Sequence, residues 1–149
     1  MMDHELFSLG QTVLAAQAFS TLLGARLSVF RPGEAVLELP IRDDLLQQNG
    51  FVHGGVLSYA ADNTLTFAGG SVLGSNVLTA EYKINYLKPA VGTRLIARGS
   101  VVHASARQAV CRCDVMVIGH HGEETLCATA QGTIVATSPP GRRHSPSEQ

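Results

Sequence analysis

Residues 47–62 read QQNGFVHGGVLSYAAD: a polar turn, a histidine, two glycines, and an apolar run that ends on an aspartate. From Leu45 to Ala80, Asp62 is the only formally charged residue. The run from residue 54 to about 69, GGVLSYAADNTLTFAG, is apolar nearly all round, a pattern that predicts a helix enclosed by protein rather than lying on a surface. A carboxylate inside such a helix is costly unless something compensates it. The placement of Asp62 therefore needs a reason.

Outward from this stretch, the chain reads as helix, hairpin, buried helix and four strands. Leu6, Leu9, Val13, Ala16, Phe19 and Leu22 recur at helical spacing, which predicts one amphipathic helix over about 5–23, ended by Gly24. ARLSVF and EAVLELPI flank a Pro-Gly turn and predict a hairpin. Beyond the central helix, Gly69-Gly70 and Gly74-Ser75 bracket its end, and strand-like runs follow at about 77–87, 93–103, 108–118 and 124–136. The last alternates, with Leu126, Ala128, Ala130, Gly132 and Ile134 on one face and Thr125, Cys127, Thr129, Gln131 and Thr133 on the other. Short connections make these strands antiparallel neighbours. A wholly apolar helix beside one antiparallel sheet gives an α+β domain in which the sheet wraps the helix. The open edges of so small a sheet favour oligomers. The expected domain covers residues 1–137, and the Pro-rich polar segment 138–149 is expected to be a disordered tail.

Composition narrows the function classes. A chain of 149 residues fits one domain, and 45 % apolar with 15 % charged residues describes a compact soluble protein. A net charge of −1 gives no pull toward nucleic acid or acidic lipid. No apolar stretch is long enough for a membrane span, and the acidic N-terminus does not read as a secretory signal, so a cytoplasmic location is expected. Cys111, Cys113 and Cys127 form neither a disulfide framework nor a familiar zinc pattern; they read as reduced structural thiols.

The chemistry gathers at the two ends of the opening stretch. The first turn of a helix carries N–H groups without internal partners and the positive end of the helix dipole. Gly54 and Gly55, lacking side chains, let a ligand approach those donors, an arrangement suited to a carbonyl oxygen that becomes an oxyanion. Asp62 lies nine residues after His53. At about 1.5 Å of rise per residue it is roughly 12 Å along the helix from Gly54, too far to share a small site within one chain. A second subunit is able to bring its Asp62 to this chain's Gly54. Each residue also has a structural reading: a loop at the glycines, a satisfied histidine at position 53, an aspartate bonded to Ser58 or Thr66. Their combination in one apolar stretch favours function. His120-His121 with Glu123 and Glu124 reads as a solvated turn, and no nucleophile elbow, dinucleotide fingerprint or Walker loop occurs.

HGGVLSYAAD, followed by TAEYKINYLKPAVG and a closing Ala-x-x-x-Gly-Thr strand, resembles the hotdog-fold acyl-CoA thioesterases of the phenylacetate-degradation (PaaI-like) group over about residues 26–135. The resemblance implies a hotdog fold with an additional N-terminal helix. It implies homotetramers built as dimers of dimers, with active sites at the dimer interface. It also implies hydrolysis of an acyl- or aryl-coenzyme A thioester without metal or other cofactor. On this resemblance Asp62 matches the catalytic acid, as general base or nucleophile, and Gly54 the backbone N–H that polarises the carbonyl. His53 matches the histidine that positions the thioester and helix start, and Thr79 a Ser/Thr position that orients the water or the acid. Many members carry Asn six residues before the histidine; here the position is Gln47, with Asn49 nearby, and the choice of polar partner stays open. Arg107 and Lys88 are candidates for the coenzyme A phosphates, with solvated surface charge as the alternative. Tyr59, Asn63 and Phe67 are candidates for shaping the acyl pocket, with core packing as the alternative. A non-catalytic acyl-CoA sensor, or hydratase chemistry on the same fold, are the competing functions; the expected partners include neither nucleic acid nor membrane.

Overall fold

A computed structural model describes residues 2–137; the expected tail from residue 138 lies outside them. Two helices, α1 (Asp3–Ala16) and α2 (Ala18–Leu23), lead into the hairpin β1 (Arg26–Arg31) and β2 (Glu34–Pro40). A short turn of 3-10 helix at Asp43–Leu45 precedes the long helix α3 (Gly54–Leu73), and β3 (Val77–Tyr86), β4 (Arg94–Ala104), β5 (Gln108–Ile118) and β6 (Glu124–Ala136) complete the fold. The strands form one antiparallel sheet in the order β1-β2-β4-β5-β6-β3. Helix α3 packs along it, and β3 is an open edge strand beside that helix. This is the α+β arrangement expected from the sequence.

The contact between α3 and the sheet is close because small residues permit it. A Cβ at Gly99 on β4 would lie 2.8 Å from Thr64 Cγ2, and one at Gly69 would lie 2.7 Å from Ile134 Cβ. Leu57, Ala60, Ala61, Leu65 and Ala68 fill the space between and are buried. Dense packing of this kind tolerates added volume poorly. Gly99→Ala is therefore expected to lower unfolding free energy by about 1–3 kcal/mol, read from the urea midpoint, because the methyl meets both the Thr64 side chain and its carbonyl oxygen.

Two features differ from the sequence expectation. The single helix over 5–23 is broken at Gln17, whose extended backbone (φ −84°, ψ 104°) separates α1 from α2. The buried stripe is correspondingly rotated: Gly10, Leu14, Ser20 and Leu23 face inward, while Leu9, Phe19 and Leu22 are exposed. On β6 the expected alternation slips by one residue. Cys127 is the extra residue of a bulge between Leu126, paired with Met116, and Ala128, paired with Val115. The bulge turns Cys127 inward (0 % exposed) and Leu126 outward (36 %), so those two residues occupy the opposite faces from those expected.

All three thiols are free and buried in the sheet–helix core. Burial pushes Cys111 and Cys127 up to about 11 and Cys113 up to about 12, Cys113 being raised further by the neighbouring Asp114 charge. An unfolded thiol titrates near 9, so above that pH the unfolded chain has released protons that the native chain still holds. Their contribution to stability is complete below pH 9 and is lost as the pH rises toward 11–12. Urea midpoints measured between pH 9 and 11 are expected to fall, and to fall less steeply in Cys111→Ala, which removes one of these groups.

Candidate active site

The start of α3 is fixed by neighbouring loops. Val52 N donates to Ala90 O (3.0 Å) and His53 N to Leu45 O (2.9 Å), which holds the chain extended into the helix. His53 then caps it: its φ of −57° and ψ of 136° fold the imidazole back so that Nδ1 accepts from Gly55 N at 2.8 Å. Val56 N donates to His53 O at 2.9 Å. Of the three leading N–H groups of α3, the Gly54 donor alone has no acceptor among the described residues. An accepting Nδ1 places the proton of the neutral ring on Nε2, which points away from the cap. The Tyr86 hydroxyl donates to Gly54 O (3.2 Å), and its ring stands 3.5 Å from where a Gly54 Cβ would be. Tyr86 thus walls the open side of this glycine.

Asp62 is half-buried two turns later, next to the edge strand. Thr79 Oγ1 on β3 donates to Asp62 Oδ1 at 2.7 Å. Thr66 Oγ1, one turn beyond Asp62, lies 2.9 Å from both Asp62 O and Thr79 Oγ1. With its one proton committed to the carboxylate, Thr79 can only accept from Thr66, whose single proton is then shared between Thr79 Oγ1 and Asp62 O. The pair fixes one carboxylate oxygen and leaves Oδ2 without a protein donor among the described residues. This is the compensation that the lone charge requires. Thr66 entered the sequence reading only as a bonding neighbour; its i+4 spacing from Asp62 was the available signal, but its contact with β3 is long-range.

The other candidates fall in separate places. Gln47 is half-buried, and its Oε1 accepts from the N–H of the exposed Asn49 in a loop closed by Gln47 N donating to Phe51 O (2.8 Å). Both residues lie at the Gly54 end of α3. Tyr59 and Asn63 belong to a polar cluster with the helix break: Tyr59 Oη donates to Ser20 Oγ (2.5 Å), Ser20 Oγ to Gln17 Oε1 (2.6 Å), and Asn63 Nδ2 to Gln17 Oε1 (3.0 Å). Burial raises the Tyr59 phenol above its usual range, opposed by its hydrogen bonds to Ser20 and Asn63. Lys88 and Arg107 are exposed and in no ion pair among the described residues. Lys88 N approaches Cys127 O, whereas Arg107 O accepts from Ala136 N, so nine residues of β6, or about 30 Å of strand, separate them. No group of three or more His, Cys, Asp or Glu side chains among the described residues is placed to hold a metal ion, and no described helix is long and apolar enough to cross a membrane.

The family model described as thioesterase superfamily matches residues 49–124, a span that includes the His53 cap, Asp62 and Thr79. The chain belongs to the thioesterase superfamily. A thioesterase family protein from Silicibacter pomeroyi superposes with a TM-score of 0.80 at 34 % identity, over 84 % of this chain and 93 % of that one. The phenylacetic acid degradation protein PaaI from Thermus thermophilus, in a mutant form, gives 0.70 at 30 % identity, over 80 % and 98 % of the two chains. Escherichia coli PaaI, at 18 % identity, shares the fold (TM-score 0.80, covering 93 % and 97 %). The chain is a hotdog-fold, PaaI-like thioesterase, and the chemistry of this superfamily member is hydrolysis of a thioester or ester bond.

In this thioesterase the Tyr59 hydroxyl ties α2 to α3. Tyr59→Phe withdraws a donor from Ser20, which is 1 % exposed, and is expected to cost about 1–2 kcal/mol of stability in a urea titration.

Proposed function

We propose that the protein hydrolyses an acyl- or aryl-coenzyme A thioester at a site shared by two subunits. The observation that carries the reading is the division of groups along α3: a free Gly54 N–H at one end, and a carboxylate oriented by Thr79 about 12 Å away. Gly54 lies against Tyr86 at the last residue of β3, and Asp62 against Thr79 near its first. Two β3 edges paired antiparallel about a two-fold axis bring the Tyr86 end of one protomer beside the Thr79 end of its partner. Gly54 of one chain then faces the partner's Asp62. The same operation brings Lys88 of one chain to the end occupied by Arg107 in the other, so that both cations flank one site and are available to the coenzyme A phosphates. A dimer of such dimers, in the cytoplasm, is the assembly this reading carries.

In the reaction the thioester carbonyl oxygen accepts from the Gly54 N–H, which lies at the positive end of α3 and strengthens as negative charge develops on the oxygen. The free carboxylate oxygen of Asp62 takes a proton from water as that water attacks, or attacks the carbonyl itself to give an anhydride that water then opens. In both routes the thiolate of coenzyme A leaves and the free acid remains. The His53 cap keeps Gly55 occupied and so presents a single donor to the carbonyl, and Gln47 or Asn49, at the same end, orients the carbonyl or the water.

Asp62→Asn is expected to reduce kcat by roughly 10²–10⁴-fold while leaving the fold intact. Gly54→Pro removes the free N–H at a helical position that accepts proline, after a His53 backbone already extended, and is expected to reduce kcat by roughly 10²–10³-fold. Each variant alone retains about 1 % of wild-type turnover or less. Mixed by co-expression, they form heterodimers in which one of two sites has Asp62 from one chain and Gly54 from the other, and about half the wild-type activity per heterodimer returns. Wild-type turnover by Asp62→Asn, or no recovery in purified heterodimers, would sink the shared-site mechanism.

A further inference from the structure

A cavity of about 580 Å³ lies between α1 and the second half of α3, within the span of roughly 300–1,000 Å³ typical of small-molecule pockets. Leu6, Leu9 and Val13 of α1 form its roof, and Phe30, Phe67 and Gly70 its floor. Phe30 and Phe67 meet edge to face, with ring centroids 5.4 Å apart and planes at 86°. Among the described residues, no Asp, Glu, Lys or Arg lines it. Two of its polar side-chain atoms are occupied: Gln17 Oε1 accepts from Ser20 and Asn63, and Ser71 Oγ donates to Ala68 O (2.6 Å) while accepting from Gly33 N (2.8 Å).

Thr66 stands between the candidate active site and the cavity. That residue lines it, and its hydroxyl touches Thr79, the donor to Asp62. Asp62, Thr66 and Gly70 follow one another at i, i+4 and i+8, so carboxylate, threonine and glycine share one stripe of α3. A group attached to a carbonyl beside Asp62 can follow this stripe under α1. On this stripe Gly70 is the lining residue without a side chain: a Cβ there would sit 3.4 Å from Val77 Cγ2, in ordinary contact, so a larger side chain at this position takes up cavity space.

We propose that this cavity receives the acyl group of the substrate, that the acyl group is uncharged and apolar, of aromatic or medium-chain size, and that Gly70 sets the size it admits. The proposal rests on Asp62 being the reaction centre. Burial of apolar surface against α1 and the two phenyl rings favours such groups, whereas a dicarboxylic acyl group would bring an unpaired carboxylate into an apolar space.

The test compares wild type, Gly70→Ala and Gly70→Leu on acetyl-, succinyl-, octanoyl- and phenylacetyl-coenzyme A. Both substitutions favour helix, so α3 is not threatened. In the wild type, kcat/KM for octanoyl- or phenylacetyl-coenzyme A is expected to exceed that for the succinyl thioester by about tenfold or more. The ratio of octanoyl or phenylacetyl to acetyl activity is expected to fall about tenfold or more in Gly70→Leu and by a smaller factor in Gly70→Ala. Unchanged ratios in folded variants, or a preference for the succinyl thioester, overturn the proposal. Non-hydrolysable thioether analogues separate its failure from that of the catalytic reading. If no coenzyme A thioester is cleaved, the hydrolytic reading fails. Loss in Gly70→Leu of tighter binding to the octanoyl than to the acetyl thioether would still support the cavity assignment, and equal binding of the two by wild type would refute it.

Discussion

The fold depends on enclosing α3. Twenty residues with a single charge must lie against one sheet, and the helix end and the carboxylate must each find polar partners without disturbing that contact. Both needs are met at the margins of the sheet. The loops carrying Leu45 and Ala90 receive N–H groups from the chain entering α3, while the edge strand β3 supplies Thr79 to Asp62 and Tyr86 to Gly54. Because β3 is an edge, these polar contacts sit where a second sheet can add. The demand for burial thus confines these polar groups to the open-edge side of the sheet.

His53 shows how local chemistry divides the work at the helix start. A serine or aspartate cap would satisfy one of the same orphan donors. Imidazole does so through Nδ1 and keeps a second polar atom on the far side of the ring. The cap consumes Gly55 and the first tight turn consumes Val56, so the free donor is selected by exclusion. Absence of a side chain at Gly54 matters because Tyr86 already occupies one flank.

Most of the fold was legible because its signals are local and periodic. The uncharged run over α3, the alternation in the strands and the Pro-Gly hairpin each follow from neighbours in sequence. The failures came from contacts made at a distance. Gln17 breaks the N-terminal helix because its side chain meets Ser20 and the remote Asn63, which no helical periodicity encodes. Cys127 turns inward because β6 carries one residue more than β5 at that point, a mismatch visible only once the strands are paired. At the candidate site, Gly54, His53 and Asp62 stood out as exceptions within an apolar run. Thr66 did not, since threonine in a helix is ordinary until β3 brings Thr79 to it.

The break at Gln17 also bears on the cavity beneath α1. Gln17 lines that cavity and, through its side-chain oxygen, is bonded to Ser20 on α2 and to Asn63 on α3. The position of α1, which forms the roof, is therefore tied to the central helix by hydrogen bonds in addition to apolar contact. Apolar packing alone leaves a helix some freedom to slide, whereas a partly buried polar cluster has few arrangements in which every member is satisfied. Of the sequence candidates Tyr59, Asn63 and Phe67, only Phe67 lines this cavity; Asn63 bonds Gln17 directly and Tyr59 reaches it through Ser20. The cavity's dimensions then follow from the same cluster that interrupts the N-terminal helix. A helical register continued through residue 17 would carry α2 elsewhere and take Ser20 away from Tyr59.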